Sequence, residues 1–237
     1  MQNNAFGQPV GPEVGPAPAK RPERTTLRGR AVTLTPLDAE AHAGALFRAA
    51  NGGESDRVWT YLFDGPYRDE GVFKANIEAK AKSDDPLFSA IVDNVSGEAV
   101  GYQTLMRIDA THRVIEVGNI LYTPAMQRTI GATEAQYLFA RYVFDELGYR
   151  RYEWKCNDLN APSKRAALRY GFTFEGVFRQ HMIVKGRNRD TAWYAMLDGE
   201  WPARRAAFER WLRLDNFDGQ GRQKESLSSL ALLGAGA

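Results

Sequence analysis

Four stretches of this chain carry residue types and spacings that can do chemistry. The first is Tyr122-Thr123-Pro124-Ala125-Met126-Gln127-Arg128-Thr129-Ile130-Gly131-Ala132-Thr133, where an alternating apolar run gives way to a helical one. Consecutive backbone N–H groups at a helix start, small residues at Gly131 and Ala132 that let a ligand approach, and the charge of Arg128 suit a pyrophosphate. Taken alone, the run also reads as an ordinary strand-to-helix turn. The second is Asn160-Ala-Pro-Ser163-Lys-Arg-Ala-Ala-Leu-Arg-Tyr-Gly171-Phe172, in which Asn160 caps a short helix and Ser163 stands in its first turn. The third is Val-Ile-Glu116-Val-Gly-Asn119, a carboxylate inside an apolar strand that can take a proton from an ammonium or stand in an ion pair. The fourth is Arg187, Arg189 and Asp190, either a hold on a carboxylate-bearing or peptide ligand or a solvated hairpin tip. Cys156 alternates with Tyr152 and Trp154 and reads as a small core residue. His42 and His112 show no partner, and His181 is either a surface residue or the edge of a pocket.

The elements that must position these groups follow from period and punctuation. Residues 31–36 alternate as a strand, and Asp38 caps an Ala-rich helix that stops near Asn51-Gly52. A second helix follows Asp69, with Val72, Phe73, Ile77 and Ala81 at helical spacing. Leu87 to Asp93, Ala99 to Asp109 and Val114 to Tyr122 are β-rich runs with connections short enough for an antiparallel meander. Ala135, Leu138, Phe139, Tyr142, Val143 and Leu147 then form one helical stripe that ends at Gly148. A strand over 151–157, a short helix to Gly171, strands near 173–184 and 190–197, and a helix opened by Pro202 complete the order. A helix between the strands ending at Tyr122 and beginning at Arg151 is a crossover, so those two strands are expected to be parallel neighbours in an otherwise antiparallel sheet.

Composition narrows the function classes. Thirty-one Lys and Arg against 29 Asp and Glu leave a net charge of +2, too small for a dedicated nucleic-acid or polybasic membrane surface. Cys156 is the single cysteine, so an intramolecular disulfide is impossible and a thiolate metal site lacks ligands; no metal is expected. The start of the chain lacks a charged-then-apolar signal, and no apolar run approaches the ~18 residues of a membrane span. A reducing, cytoplasmic setting is expected. Residues 1–29 hold five of the eleven prolines and read as a leader, either disordered or an extended strap with Phe6 and Val10 on the domain surface. The domain is expected over 30–217, followed by a flexible tail over 218–237.

The element order over roughly residues 27 to 200 resembles the GNAT superfamily of acetyl-coenzyme A dependent N-acyltransferases. The phosphate loop of that superfamily reads Gln or Arg, two residues, Gly, one residue, then Gly or Ala; Arg128, Gly131 and Thr133 take those places, the last departing from the pattern. The segment from Asn160 to Phe172, with Phe174-Glu175-Gly176, is similar to the branch containing ribosomal-protein N-terminal acetyltransferases. The resemblance implies an α/β (α+β) fold, with a mixed, mostly antiparallel central sheet of about seven strands, helices on both faces and a splayed parallel strand pair. It implies acetyl transfer from acetyl-coenzyme A to a primary amine of a small molecule or a peptide or protein N terminus. Attack is direct, within a ternary complex; the alternative is a noncatalytic module of the same fold that binds or senses acyl-coenzyme A. It implies coenzyme contacts by Ile120, Leu121, Tyr122, Gln127, Arg128, Thr129, Gly131, Ala132, Thr133, Asn160 and Ser163. Many members place an acidic tyrosine four residues before the helix-ending glycine; Ala167 stands there, and Ser163 is the implied partner of the departing sulfur. Glu116 is the expected base, Trp59, Tyr61 and Asn119 the expected substrate contacts, and a homodimer is compatible with the resemblance.

Overall fold

The computed structural model describes residues 2–233. Its first strands, β1 (Gln2–Asn3) and β2 (Pro9–Val10), pair only with each other, and the proline-rich chain then runs extended to β3 (Leu27–Arg28) at the edge of the main sheet. From Ala19 the segment lies against the domain: Ala19 is buried, its N–H donates to the Ala110 carbonyl at 2.9 Å, and that of Lys20 donates to the Leu147 carbonyl at 3.0 Å. Phe6 and Val10 are exposed and belong to neither core of the domain.

From there the order is β4 (Val32–Pro36), α1 (Ala39–Ala50), a 3-10 turn over Gly53–Trp59, α2 (Glu70–Lys82), and the meander β5 (Leu87–Asp93), β6 (Ala99–Asp109) and β7 (Val114–Tyr122). Helix α3 (Ile130–Arg141) crosses back to β8 (Arg151–Asn157), α4 (Ala161–Arg169) leads into the hairpin of β9 (Thr173–Val184) and β10 (Arg187–Leu197), and α5 (Trp201–Trp211) and α6 (Leu227–Leu233) follow. The helix starts obey local chemistry. The Asp38 carboxylate accepts from the Ala41 N–H, Asp69 from Val72 and Asn160 from Ser163, each satisfying an amide that the helix leaves free. The stripe that predicts one helix to Leu147 instead ends its α-helical part at Arg141. A π turn over Tyr142–Glu146 follows, in which the Leu147 N–H reaches Tyr142 O at 3.1 Å.

The main sheet has eight strands in the order β3-β4-β5-β6-β7-β8-β10-β9, one more than the sequence suggests because two-residue β3 joins its edge. Every pairing is antiparallel except β7 with β8. That parallel pairing runs from Val114↔Arg151 to Val117↔Trp154 and stops. Beyond it β7 stays with β6 through Gly101↔Tyr122, while β8 stays with β10 through Asn157↔Thr191, so the two strands part. Helices cover both faces. Ile115, Val117, Tyr152, Trp154 and Tyr194 pack in one core with α3 and α5, and Ala90, Tyr102 and Leu121 pack in another under α1 and α2.

At the other end, the structure differs from the expected flexible tail. Leu227, Leu230 and Ala231, at helical spacing, bury one face of α6 in the core that holds Trp211. Residues 234–237 of that expected tail lie outside the described residues.

Candidate active site

Where β7 and β8 part, a cleft of about 1260 Å³ opens. Its walls come from both strands, the start of α3, helix α4, the loop after the 3-10 turn and the β9–β10 hairpin. The edge of β7 facing β8 has no strand beside it after Val117, so it offers backbone N–H and C=O groups to the cleft. A bulge sharpens this edge: Asn119 sits at φ +46° and Gln103 of β6 faces two residues of β7. The bulge also breaks the strict alternation assumed from sequence. Glu116, Asn119 and Ile120 all line the cleft, while Leu121 turns wholly into the core beneath α1 and α2. Tyr122 lines the cleft too, but its hydroxyl is tied inward, donating to Gln103 Oε1 at 2.9 Å and accepting from Gln136 Nε2 at 2.7 Å.

One end of the cleft is cationic. The Thr129 hydroxyl caps α3, accepting from the Ala132 N–H at 3.1 Å, and Arg128 precedes it at φ +63°. Gln127, Arg128, Thr129, Ala132 and Thr133 line this end. Gly131 does not, which corrects the sequence expectation: a Cβ there would meet Val32 Cγ1 at 2.7 Å, so the glycine serves the packing of α3 on β4. Thr133, the departure from the loop pattern, accepts a hydrogen bond from Arg169 Nη1 at 2.9 Å, and Arg169 lies 4.9 Å from the centre of the Trp211 ring. Sequence reasoning missed Arg165 and Arg169, although their spacing of four places them on one face of α4 with Pro162 and Ala166. Gln223, within the expected tail, also lines this end and accepts from the Trp211 indole at 2.8 Å.

Asn160 and Ser163 meet the cleft midway. The Ser163 oxygen accepts the Trp154 indole N–H at 3.0 Å, which leaves the hydroxyl hydrogen to be donated. Cys156 packs in the core and also lines the cleft close to Ser163, and burial pushes its thiol up, away from the thiolate form. Ala167 is fully buried. Tyr170 packs in the core and borders the cleft.

The opposite end holds the buried charges. Glu116 accepts from Lys155 Nζ at 2.9 Å and pairs with Arg107 Nε at 3.1 Å; Lys155 also binds Glu153 and lies 4.0 Å from the centre of the Trp193 ring. Burial pushes the Glu116 carboxyl up, and the two cations partly offset it. Glu153 and Lys155 alternate along β8, and the register of β8 on β7 brings them to Glu116. Tyr61 lines this end and donates to the Leu159 carbonyl at 3.1 Å. Trp59 does not: it is a core residue, 1% exposed, whose indole donates to Ala50 O at 2.6 Å, and Leu62 and Phe63 stand at the wall instead. His181 and Arg189, from the hairpin, close the end. Among the described residues no group of three or more His, Cys, Asp or Glu is placed to hold a metal ion, and no helix is long and apolar enough to cross a membrane.

Residues 31–173 match the model of the acetyltransferase (GNAT) domain. Among solved structures, a GCN5-related N-acetyltransferase from Brucella melitensis is 50% identical, with a TM-score of 0.89 over 91% of this chain and 97% of that one. A probable acetyltransferase (GNAT family) from Chromobacterium violaceum ATCC 12472 is 41% identical, with a TM-score of 0.75 over 82% of this chain and 99% of that one. The Microcin C7 self immunity acetyltransferase MccE, in complex with acetyl-CoA and AMP, shares the fold at 20% identity, with a TM-score of 0.62 over 71% of this chain and 93% of that one. No curated protein matches the sequence.

Proposed function

The chain belongs to the GNAT family of acetyltransferases, and from that premise we propose that it moves the acetyl group of acetyl-coenzyme A to a primary amine on a small molecule or a peptide or protein N terminus, both bound in the cleft. The observation that carries this reading is the junction of three features in one cavity: the capped start of α3, the unpaired edge of β7 and the Ser163 hydroxyl.

Acetyl-coenzyme A supplies an activated thioester and a thiolate leaving group. The N–H groups at the start of α3, with Arg128 and Arg169, hold its diphosphate. The free edge of β7 after Val117 aligns the pantetheine arm, and its N–H groups polarise the thioester carbonyl and receive the charge that develops on its oxygen. Glu116 takes the proton of the incoming ammonium, directly or through water, and the neutral nitrogen attacks the carbonyl carbon. As the carbon–sulfur bond breaks, the electron pair leaves with sulfur, Ser163 donates its hydrogen bond to it, and the second proton shed by the acylated nitrogen neutralises the thiolate. Because both reactants occupy one cavity, no covalent enzyme intermediate is required.

A panel of primary amines with coenzyme A thiol release as readout tests this. Ser163→Ala and Glu116→Gln are expected to lower kcat by about a hundredfold each while acetyl-coenzyme A still binds. Tight acetyl-coenzyme A binding with no thiol released from any amine would overturn transfer in favour of a binding module.

A further inference from the structure

The acceptor end of the cleft contains a cation that the protein leaves unneutralised. Arg189 is 8% exposed, yet among the described residues no carboxylate lies within ion-pair distance of it. Its neighbours Arg107 and Lys155 are both committed to Glu116. The adjacent carboxylate, Asp190, is spent elsewhere: it accepts from the Gln180 N–H at 2.7 Å and from Asn188 Nδ2 at 2.9 Å. Alternation along β10 turns Arg189 and Thr191 to the cleft and Asp190 to the other face, where an irregularity in β9, with Gln180 at φ +49°, brings the Gln180 N–H to its carboxylate.

Arg189 makes one hydrogen bond, from Nε to Thr191 Oγ1 at 3.2 Å, and its guanidinium lies 5.3 Å from the centre of the Phe63 ring. The two terminal nitrogens have no partner among the described residues. A guanidinium held at its Nε by one hydroxyl and flanked by an aromatic ring is oriented, with its terminal nitrogens open to the cleft for a ligand.

A second donor stands beside it. The fully buried Thr191 Oγ1 is also 3.0 Å from His181 Nδ1. Arg189 Nε–H can only donate, so the Thr191 oxygen accepts there and keeps its hydrogen free for His181 Nδ1. In the tautomer that takes this hydrogen, His181 carries its own proton on Nε2 as a neutral donor. Burial, with the charges of Arg107, Arg189 and Lys155, holds the imidazole below its usual range, in keeping with that neutral form. Glu116 and Arg189 line the same end of the cleft, so one acceptor can meet both the base and the guanidinium.

We propose that this end of the cleft is an anion site and that the acceptor is an amine bearing a carboxylate or phosphate, bound by Arg189 with His181 beside it. A plain ammonium entering here meets an unpaired buried cation, whereas an amine that brings its own anion satisfies it. This deepens the acetyl-transfer reading above and rests on it.

Matched acceptor pairs separate the possibilities: α-amino acids against their amides, and phosphoethanolamine against ethanolamine, each followed by thiol release. The native chain is expected to favour the anionic member of at least one pair by about ten- to a hundredfold in kcat/KM, the worth of a charged hydrogen bond. Arg189→Met should bring that ratio near one, and Arg189→Lys, which keeps the charge but loses the fork, should fall between, with melting temperature as the fold control. A native ratio near one in both pairs, or a ratio that survives in Arg189→Met, overturns the anion site and leaves acetyl transfer standing. If no amine releases thiol, calorimetry with N-acetyl amino acids against N-acetyl amino-acid amides decides: preference for the acid upholds the site without the reaction, and equal or absent binding overturns both.

Discussion

Gly131 and Thr133 stand two residues apart at the start of α3 and answer to different neighbours. The first has no room for a side chain because Val32 of β4 fills it, and the second holds Arg169 at the cleft. Gly131→Val is therefore a packing change: it is expected to cost about 1–3 kcal/mol of stability, read by denaturant melting. A variant that melts like the parent while losing only acetyl-coenzyme A affinity would restore the ligand-approach reading taken from sequence. Identity alone cannot tell these roles apart, since a glycine that admits a phosphate and one that admits a valine look the same in a string. The histidines teach a similar lesson. His42 lacks a partner in the sequence reading, but its Nδ1 accepts the Asp38 N–H at 3.0 Å and so shares the cap of α1, while His112 pairs with Asp109. Spacings of four and three residues carried both signals.

At the scale of elements, α3 is fixed to the sheet by a carboxylate as well as by apolar surface. Glu134 is 6% exposed and accepts from the N–H groups of Arg30, Ala31 and Val32 at 2.9, 2.6 and 3.0 Å, taking up donors where the chain enters β4. Its removal strands those amides. Glu134→Ala is expected to destabilise the fold by about 2–4 kcal/mol, and a thermal melt within a degree of the parent would refute the tie. Helix starts at Asp38, Asp69 and Asn160 were legible because a cap and its amide lie three residues apart. The Glu134 tie was not legible, since its partners stand more than a hundred residues away. Nor was the bulge at Asn119, which is set by how β6 and β7 share their twist and is the feature that aims Glu116, Asn119 and Ile120 into one cavity.

Across the whole molecule, the terminal segments close the domain differently. The first residues, through Val10, form a separate exposed ribbon, whereas Leu227 and Leu230 of α6 are buried and Gln223 lines the cleft at the end that holds Arg128 and Arg169. A chain ended at Asp218 is expected to lose about 3 kcal/mol, the worth of burying those two leucines, and to bind acetyl-coenzyme A more weakly. Equal melting and equal affinity would show the segment to be dispensable. The element order, the crossover that makes β7 and β8 parallel, and the positions of Ser163, Asn160 and the α3 loop were determined by the sequence itself. Capping, alternation and helical spacing act between residues a few places apart, and a string records them directly. The tertiary structure alone decided which charges meet: Lys155 reaches Glu116 across 39 positions and Arg169 reaches Thr133 across 36, while Arg189 has no carboxylate within ion-pair distance among the described residues. Those outcomes depend on strand register, on where the parallel pairing stops and on a one-strand bulge, and a shift of a single residue in any of them would turn the same side chains to the other face.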